Sequence, residues 1–166
     1  MNVNLTAEQI IDKYADMVYR LALTEVKNKT DADDIFQEVF LRLVKNLHKL
    51  EDEEHVKAWL IRVTINCSKS HFTSFWNRNV DGIPEDVQMG AESEELDALI
   101  SGEHPVTTAV HKLPEKYRIV VHLFYFEEFS VQKIGKVLNQ SESTTKSQLH
   151  RARKMLKELL EGDVDL

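Results

Sequence analysis

The chain has little of what most folds and chemistries need. A single cysteine, Cys67, excludes an internal disulfide and suits a reducing compartment. No apolar run approaches the length of a membrane span, and the apolar stretch Ile119–Phe126 is far too short for one. The opening Met1-Asn2-Val3-Asn4 lacks the basic and apolar regions of a signal peptide, so a cytoplasmic location without membrane insertion is expected. There is no strong strand signal, no internal repeat and no metal-ligand spacing; the histidines are scattered, and no cofactor is expected. No nucleophile, paired-carboxylate or phosphate-loop pattern supports an enzyme. Glycine and proline are scarce, and Gly82, Pro84, Gly90 and Gly102 fall together in one acidic stretch.

What is present is amphipathic helix. Thr6-Ala7-Glu8-Gln9 is a capping-box pattern, opening a helix with Ile10, Tyr14, Met17, Val18 and Leu21 on one face. Thr30-Asp31-Ala32-Asp33 is expected to open a second in the same way, turning Ile35, Phe36, Val39, Phe40, Leu43 and Leu47 inward. A third is expected from about His55 to about Phe75, with Val56, Trp59, Leu60, Val63 and Cys67 as core. From Asn77 the periodicity fades, although Glu92–Ile100 has the makings of a short helix. The fold class is therefore all-α: two small helical domains, 1–76 and 105–166, joined by a flexible acidic linker over 77–104.

The last third reads as a helix-turn-helix. Ser130 caps a short helix whose Val131, Ile134, Val137 and Leu138 share a face, and Asn139-Gln140 supplies a turn that needs a left-handed residue. Ser141 caps the next helix. Its inward stripe is Thr145, Leu149, Ala152, Leu156 and Leu159, and Lys146, Ser147, His150, Arg151 and Lys154 lie opposite. A small, polar and basic outer face is what reading a major groove requires. The net charge of −7 argues against DNA binding until its distribution is read. Residues 1–76 carry ten Lys/Arg against twelve Asp/Glu, residues 77–110 one against eight, and residues 111–166 ten against eight. Only the C-terminal third is net basic, and only mildly, so a partner must supply further DNA contacts.

The segment Leu113-Pro114-Glu115-Lys116-Tyr117-Arg118, with Thr144-Thr145-Lys146-Ser147-Gln148-Leu149-His150-Arg151-Ala152-Arg153 downstream, resembles region four of bacterial sigma factors, closest to the extracytoplasmic-function group. Asp31-Ala32-Asp33-Asp34-Ile35-Phe36-Gln37-Glu38-Val39-Phe40-Leu41-Arg42 and Lys57-Ala58-Trp59-Leu60-Ile61-Arg62-Val63-Thr64-Ile65-Asn66 resemble region two. Together, in the family's order, the two regions cover nearly all of the chain outside the linker.

The resemblance implies a non-catalytic initiation factor with three kinds of partner. Core RNA polymerase would be bound through the clamp helices of its largest subunit and the flap of the second; promoter DNA and an anti-sigma factor would complete the set. Asp34, Gln37, Glu38 and Leu41 are the implied polymerase-docking face, with Leu41 an apolar residue amid acid. Arg62, Asn66, Lys69 and Ser70 are implied at the minus-ten element. Arg62 also reads as a surface charge or a tether between helices, and Asn66 as a solvent-facing amide. Phe75 and Trp76 read equally as a stacking platform for single-stranded DNA and as core closing the helix, whereas Phe72 reads as core. Thr144, Lys146, Ser147, Gln148, His150, Arg151 and Lys154 are implied at the minus-thirty-five element. Arg153 and Lys157 read as phosphate contacts or as solvated charge.

The chain departs from the pattern in five places, the first being that the segment from Lys69 past Phe75 carries fewer basic residues than the family usually keeps there. Gln148 stands where Arg is common, Thr145 where Val is, and Gly135 where Ala is, the last at a helix cost of about 1 kcal/mol. The Leu47–Val56 loop is unusually acidic. Two alternatives stay open: a sigma-like protein that sequesters an anti-sigma factor, and a homodimeric helix-turn-helix regulator, for which no long heptad seam is visible.

Overall fold

The structure is a computed structural model that describes the backbone of residues 5–81 and 105–164 and the side chains of 5–70 and 105–161. Among the described residues there are helices and turns but no strand. The chain divides into two compact units, 1–90 and 91–166.

The first unit holds α1 (Ala7–Val26), α2 (Lys29–Asn46), a 3-10 turn (Leu47–Lys49) and α3 (Glu53–Asp81), each helix packing on the other two. Thr6 caps α1: its hydroxyl accepts from the Gln9 N–H at 3.2 Å, and the Gln9 side chain accepts from the Thr6 N–H at 2.9 Å. Helix α2 begins earlier than Thr30. Its cap is Asn28, whose side-chain oxygen accepts from the Asp31 N–H at 2.8 Å while its Nδ2 donates to the Asp31 carboxylate at 2.7 Å. An Asn with an acid three residues on satisfies the free N–H groups better than the Thr within the helix does. Ile10, Val18, Leu21, Ile35, Val39, Leu43, Leu50, Val56, Leu60 and Ile61 fill the centre. Trp59 and Val63, expected as core, are half-buried. The inner face of α3 also carries hydroxyls, each satisfied one turn back: Thr64 donates to the Leu60 carbonyl at 2.6 Å and Ser68 to the Thr64 carbonyl at 2.7 Å.

Helix α3 runs to Asp81, past the expected end near Phe75, so residues 77–81 are helix and not linker. The apolar periodicity fades there, but fading periodicity does not stop a helix; the first breakers are Gly82 and Pro84. The rest of the expected linker, with the Glu92–Ile100 segment, lies outside the described residues.

The second unit comprises α4 (Pro105–Lys112), α5 (Glu115–Val121) continuing into a π-helical turn (His122–Phe126), α6 (Val131–Leu138) and α7 (Glu142–Val164). The stretch Ile119–Phe126, ambiguous by periodicity, is helical throughout. His122 and Glu127, both buried, meet at 2.9 Å across the π turn. Val110, Leu113, Tyr117, Val121 and Ala152 form a core against which Met155, Leu156 and Leu159 pack.

Candidate promoter and polymerase interfaces

On α2 the residues at positions 34, 37, 38 and 41 recur at helical spacing and all are exposed. Leu41 is 59% exposed, and Val44, one turn further along the same face, is 58% exposed. Val44 was hidden in the sequence because it sits beside the inward Leu43, and only the helix phase separates them. Lone exposed leucines are ordinary, but two large aliphatics three residues apart on an acidic face form a contiguous apolar spot. Glu38 pairs with Arg42 at 3.0 Å, an exposed i,i+4 contact that orders the rim. Beneath, burial pushes the Cys67 thiol pKa up, with a smaller opposing pull from Arg42.

On α3, Arg62, Asn66, Lys69 and Ser70 are all exposed and fall on one face at spacings of four, three and one. The structure brings them together as a polar stripe carrying two positive charges. The side chains of Phe72, Phe75 and Trp76 lie outside the described residues.

The acidic loop is partly taken up within the fold. Glu53 accepts from Tyr14 Oη at 3.0 Å and also pairs with Lys13. Lys13, then Tyr14, hold the Glu53 carboxyl below its ordinary range, while burial and then Glu53 push the Tyr14 phenol up to about 12. Asp52 accepts from the His55 N–H at 2.8 Å, as an N-cap does, and His55 Nδ1 accepts from the Glu51 N–H at 3.2 Å.

The helix-turn-helix has the local chemistry its sequence calls for. Ser130 accepts from the Lys133 N–H at 3.1 Å, Asn139 sits left-handed at φ 57°, and Ser141 accepts from the Thr144 N–H at 3.0 Å. Thr144, Lys146, Ser147, His150, Arg151 and Lys154 are exposed on α7; Gln148 is half-buried. Lys146 lies 3.5 Å from Glu142, an exposed i,i+4 pair of little energy. The Arg151 guanidinium beside Tyr117 lowers the phenol's pKa.

Arg153 is exposed and also makes contacts within its own unit. It donates to Tyr125 Oη at 2.7 Å and lies over the rings of Phe124 and Tyr125, at 5.4 and 5.7 Å. Thr145, fully buried, donates its hydroxyl to the Ser141 carbonyl at 3.0 Å. Gly135 proves to be more than a helix cost: a Cβ there would meet the Gln140 carbonyl oxygen at 2.8 Å.

Comparison with known proteins gives these surfaces a context. Residues 10–78 match Sigma-70 region 2, and residues 104–156 match Sigma-70 region 4. The ECF RNA polymerase sigma factor SigW of Bacillus subtilis (strain 168) is 30% identical over 162 residues, spanning 91% of this chain and 87% of that one. SigM of the same organism is 29% identical over 170 residues, spanning 97% and 99%. Among solved structures, the sigma factor RpoE bound to the anti-sigma factor NepR from Bartonella quintana has a TM-score of 0.73 at 20% identity, covering 93% of this chain and 96% of that one. CnrH in complex with the cytosolic domain of CnrY has a TM-score of 0.70 at 20% identity, covering 95% and 88%. These two likenesses establish the fold.

Proposed function

Because the chain belongs to the sigma-70 family of RNA polymerase sigma factors, in its extracytoplasmic-function group, we infer that it binds core polymerase and directs initiation at specific promoters. It acts as a non-catalytic subunit in the cytoplasm. The observation that carries this reading is the co-occurrence of both family regions, in order, within one chain.

The α2 face of Asp34, Gln37, Glu38 and Leu41, extended by Val44, is the polymerase-docking surface. An apolar spot ringed by charge is the usual anatomy of a protein interface. The α3 stripe contacts the minus-ten element, where Asn66 offers both a donor and an acceptor to an unstacked base and Arg62 and Lys69 offer charge to the backbone. Outer residues of α7 enter the major groove at the minus-thirty-five element. The domain boundaries that fit this division are 1–76 and 105–166, with α3 reaching beyond the first. Neither region needs high affinity alone, because two weak sites held on one polymerase bind bivalently. By likeness to RpoE with NepR and CnrH with CnrY, an anti-sigma factor is the partner assigned to control it.

The test is co-elution of the full chain with core polymerase. Wild type is expected in the holoenzyme fraction. A Leu41→Asp/Val44→Asp variant that still melts at the wild-type temperature is expected to leave it. Retention of that variant at wild-type affinity would remove the α2 face from the account.

A further inference from the structure

The turn of the helix-turn-helix contains a run of polar side chains whose donor directions follow from one another. It starts at the Ser141 carbonyl, which can only accept, and Thr145 Oγ1 donates to it at 3.0 Å. A hydroxyl has one proton, so toward Gln140 the same oxygen must accept, and it does so from Gln140 Nε2 at 2.9 Å. That nitrogen's second proton goes to Gln148 Oε1 at 2.7 Å. The two ends of an amide are ordinarily interchangeable in placement, but flipping Gln140 would turn the Thr145 proton away from the Ser141 carbonyl and leave two oxygens 3.0 Å apart with no proton between them, which favours the arrangement given. Gln140 is itself held by its backbone: its N–H donates to the Gly135 carbonyl at 2.9 Å, and Gly135 has no Cβ to push the Gln140 carbonyl away. Among the described residues nothing accepts from Gln148 Nε2.

We propose that Gln140, a turn residue, is a positioning residue for promoter specificity: it holds the Gln148 amide oxygen against the protein so that Gln148 presents its Nε2 donors to the groove. At one position of the minus-thirty-five element the protein therefore selects a base edge that offers acceptors, guanine N7/O6 or thymine O4. A glutamine free to use both ends of its amide pairs with adenine, donating to N7 while accepting from N6. The oxygen keeps a second lone pair, but turning both ends of the Gln148 amide to the adenine edge would draw the oxygen away from Gln140 and give up the 2.7 Å bond, so that mode is disfavoured. The proposal rests on the reading that α7 enters the major groove.

The experiment is transcription by the reconstituted holoenzyme from a promoter library randomised across the minus-thirty-five element, with the templates of the transcripts sequenced. Wild type is expected to enrich guanine or thymine at one position on the order of ten-fold, and Gln148→Ala to erase that enrichment. Gln140→Glu replaces a donor with a group that only accepts. The Gln148 amide must then turn to donate to it, presenting Oε1 outward, and the preference at that position moves to adenine or cytosine. In a Gln148→Ala background the Gln140→Glu change is expected to do nothing to base preference. A merely structural role for Gln140 would instead lower output from all sequences alike.

Unchanged preference in Gln140→Glu, or an equal shift with Gln148 already removed, overturns the proposal while leaving the family function standing. Should Gln140→Glu fail to melt cooperatively, Gln140→Ala is expected to raise adenine to parity, and an unchanged preference there overturns the proposal equally. Wild-type holoenzyme that selects no base anywhere in the element overturns both this proposal and the groove-reading role of α7.

Discussion

At the residue scale, Gly135 and Thr145 look like liabilities in isolation and are requirements in place. Replacing Gly135 by alanine gains about 1 kcal/mol of helix propensity. The new methyl, 2.8 Å from the Gln140 carbonyl, costs about 1–3 kcal/mol because the atom it meets is backbone. Gly135→Ala is therefore expected to lower the melting temperature of the second unit, read by thermal denaturation; a rise would show that the turn relaxes freely. Thr145→Val keeps the shape but removes the acceptor for Gln140 and leaves that amide proton without its partner. A loss of about 1–3 kcal/mol is expected in denaturant unfolding. Leu41 and Val44 differ in kind. Being exposed, they should change stability by no more than about 0.5 kcal/mol when replaced by Asp, yet weaken polymerase binding by about 2 kcal/mol or more if they anchor the interface.

At the scale of elements, the contact between α1 and α3 through Glu53 adds a small acid-sensitive contribution to the first unit, small because the pair with Lys13 is exposed and screened by solvent. The Glu53 carboxyl is held below its ordinary value of 4.5, first by the Lys13 hydrogen bond and then by Tyr14. A carboxylate with a lowered folded pKa stabilises above its unfolded pKa, and that contribution is lost as pH falls through the folded value. Stability of the first unit is expected to decline below about pH 4.5, with a shallower decline in Glu53→Gln, measured by urea melts across that range. The elements also show how far sequence alone reaches. The caps at Thr6, Ser130 and Ser141 and the left-handed Asn139 were legible, because capping is decided within four residues. The Asn28 cap was missed because the better-known Thr pattern two residues on competed with it. The outward faces of α2 and α7 follow from helical spacing, apart from Val44 beside the inward Leu43, whereas the α3 positions were indicated by the family resemblance. What could not be read were contacts whose partners meet only when helices pack. Tyr125 with Arg153 is separated by 28 positions and Gln140 with Gln148 by eight across a turn. The Gly135 clash belongs with them, since it depends on how closely the turn folds back.

At the scale of the whole molecule, the charge is arranged for dependence on a partner. Net acid over 77–110 and a mildly basic C-terminal third leave little phosphate-driven binding to the chain on its own. Two compact units, each with an exposed polar face suited to DNA, fit a reader that works only when both are held together. Free chain is accordingly expected to bind promoter fragments weakly, and holoenzyme tightly. Run-off transcription with purified core polymerase on a randomised promoter library tests whether the chain directs initiation. Defined-length transcripts are expected from templates sharing two sequence elements, and they are lost when Leu41 and Val44 are changed to Asp. Holoenzyme that forms yet opens no promoter, or free chain that binds a single operator tightly without polymerase, would contradict that role.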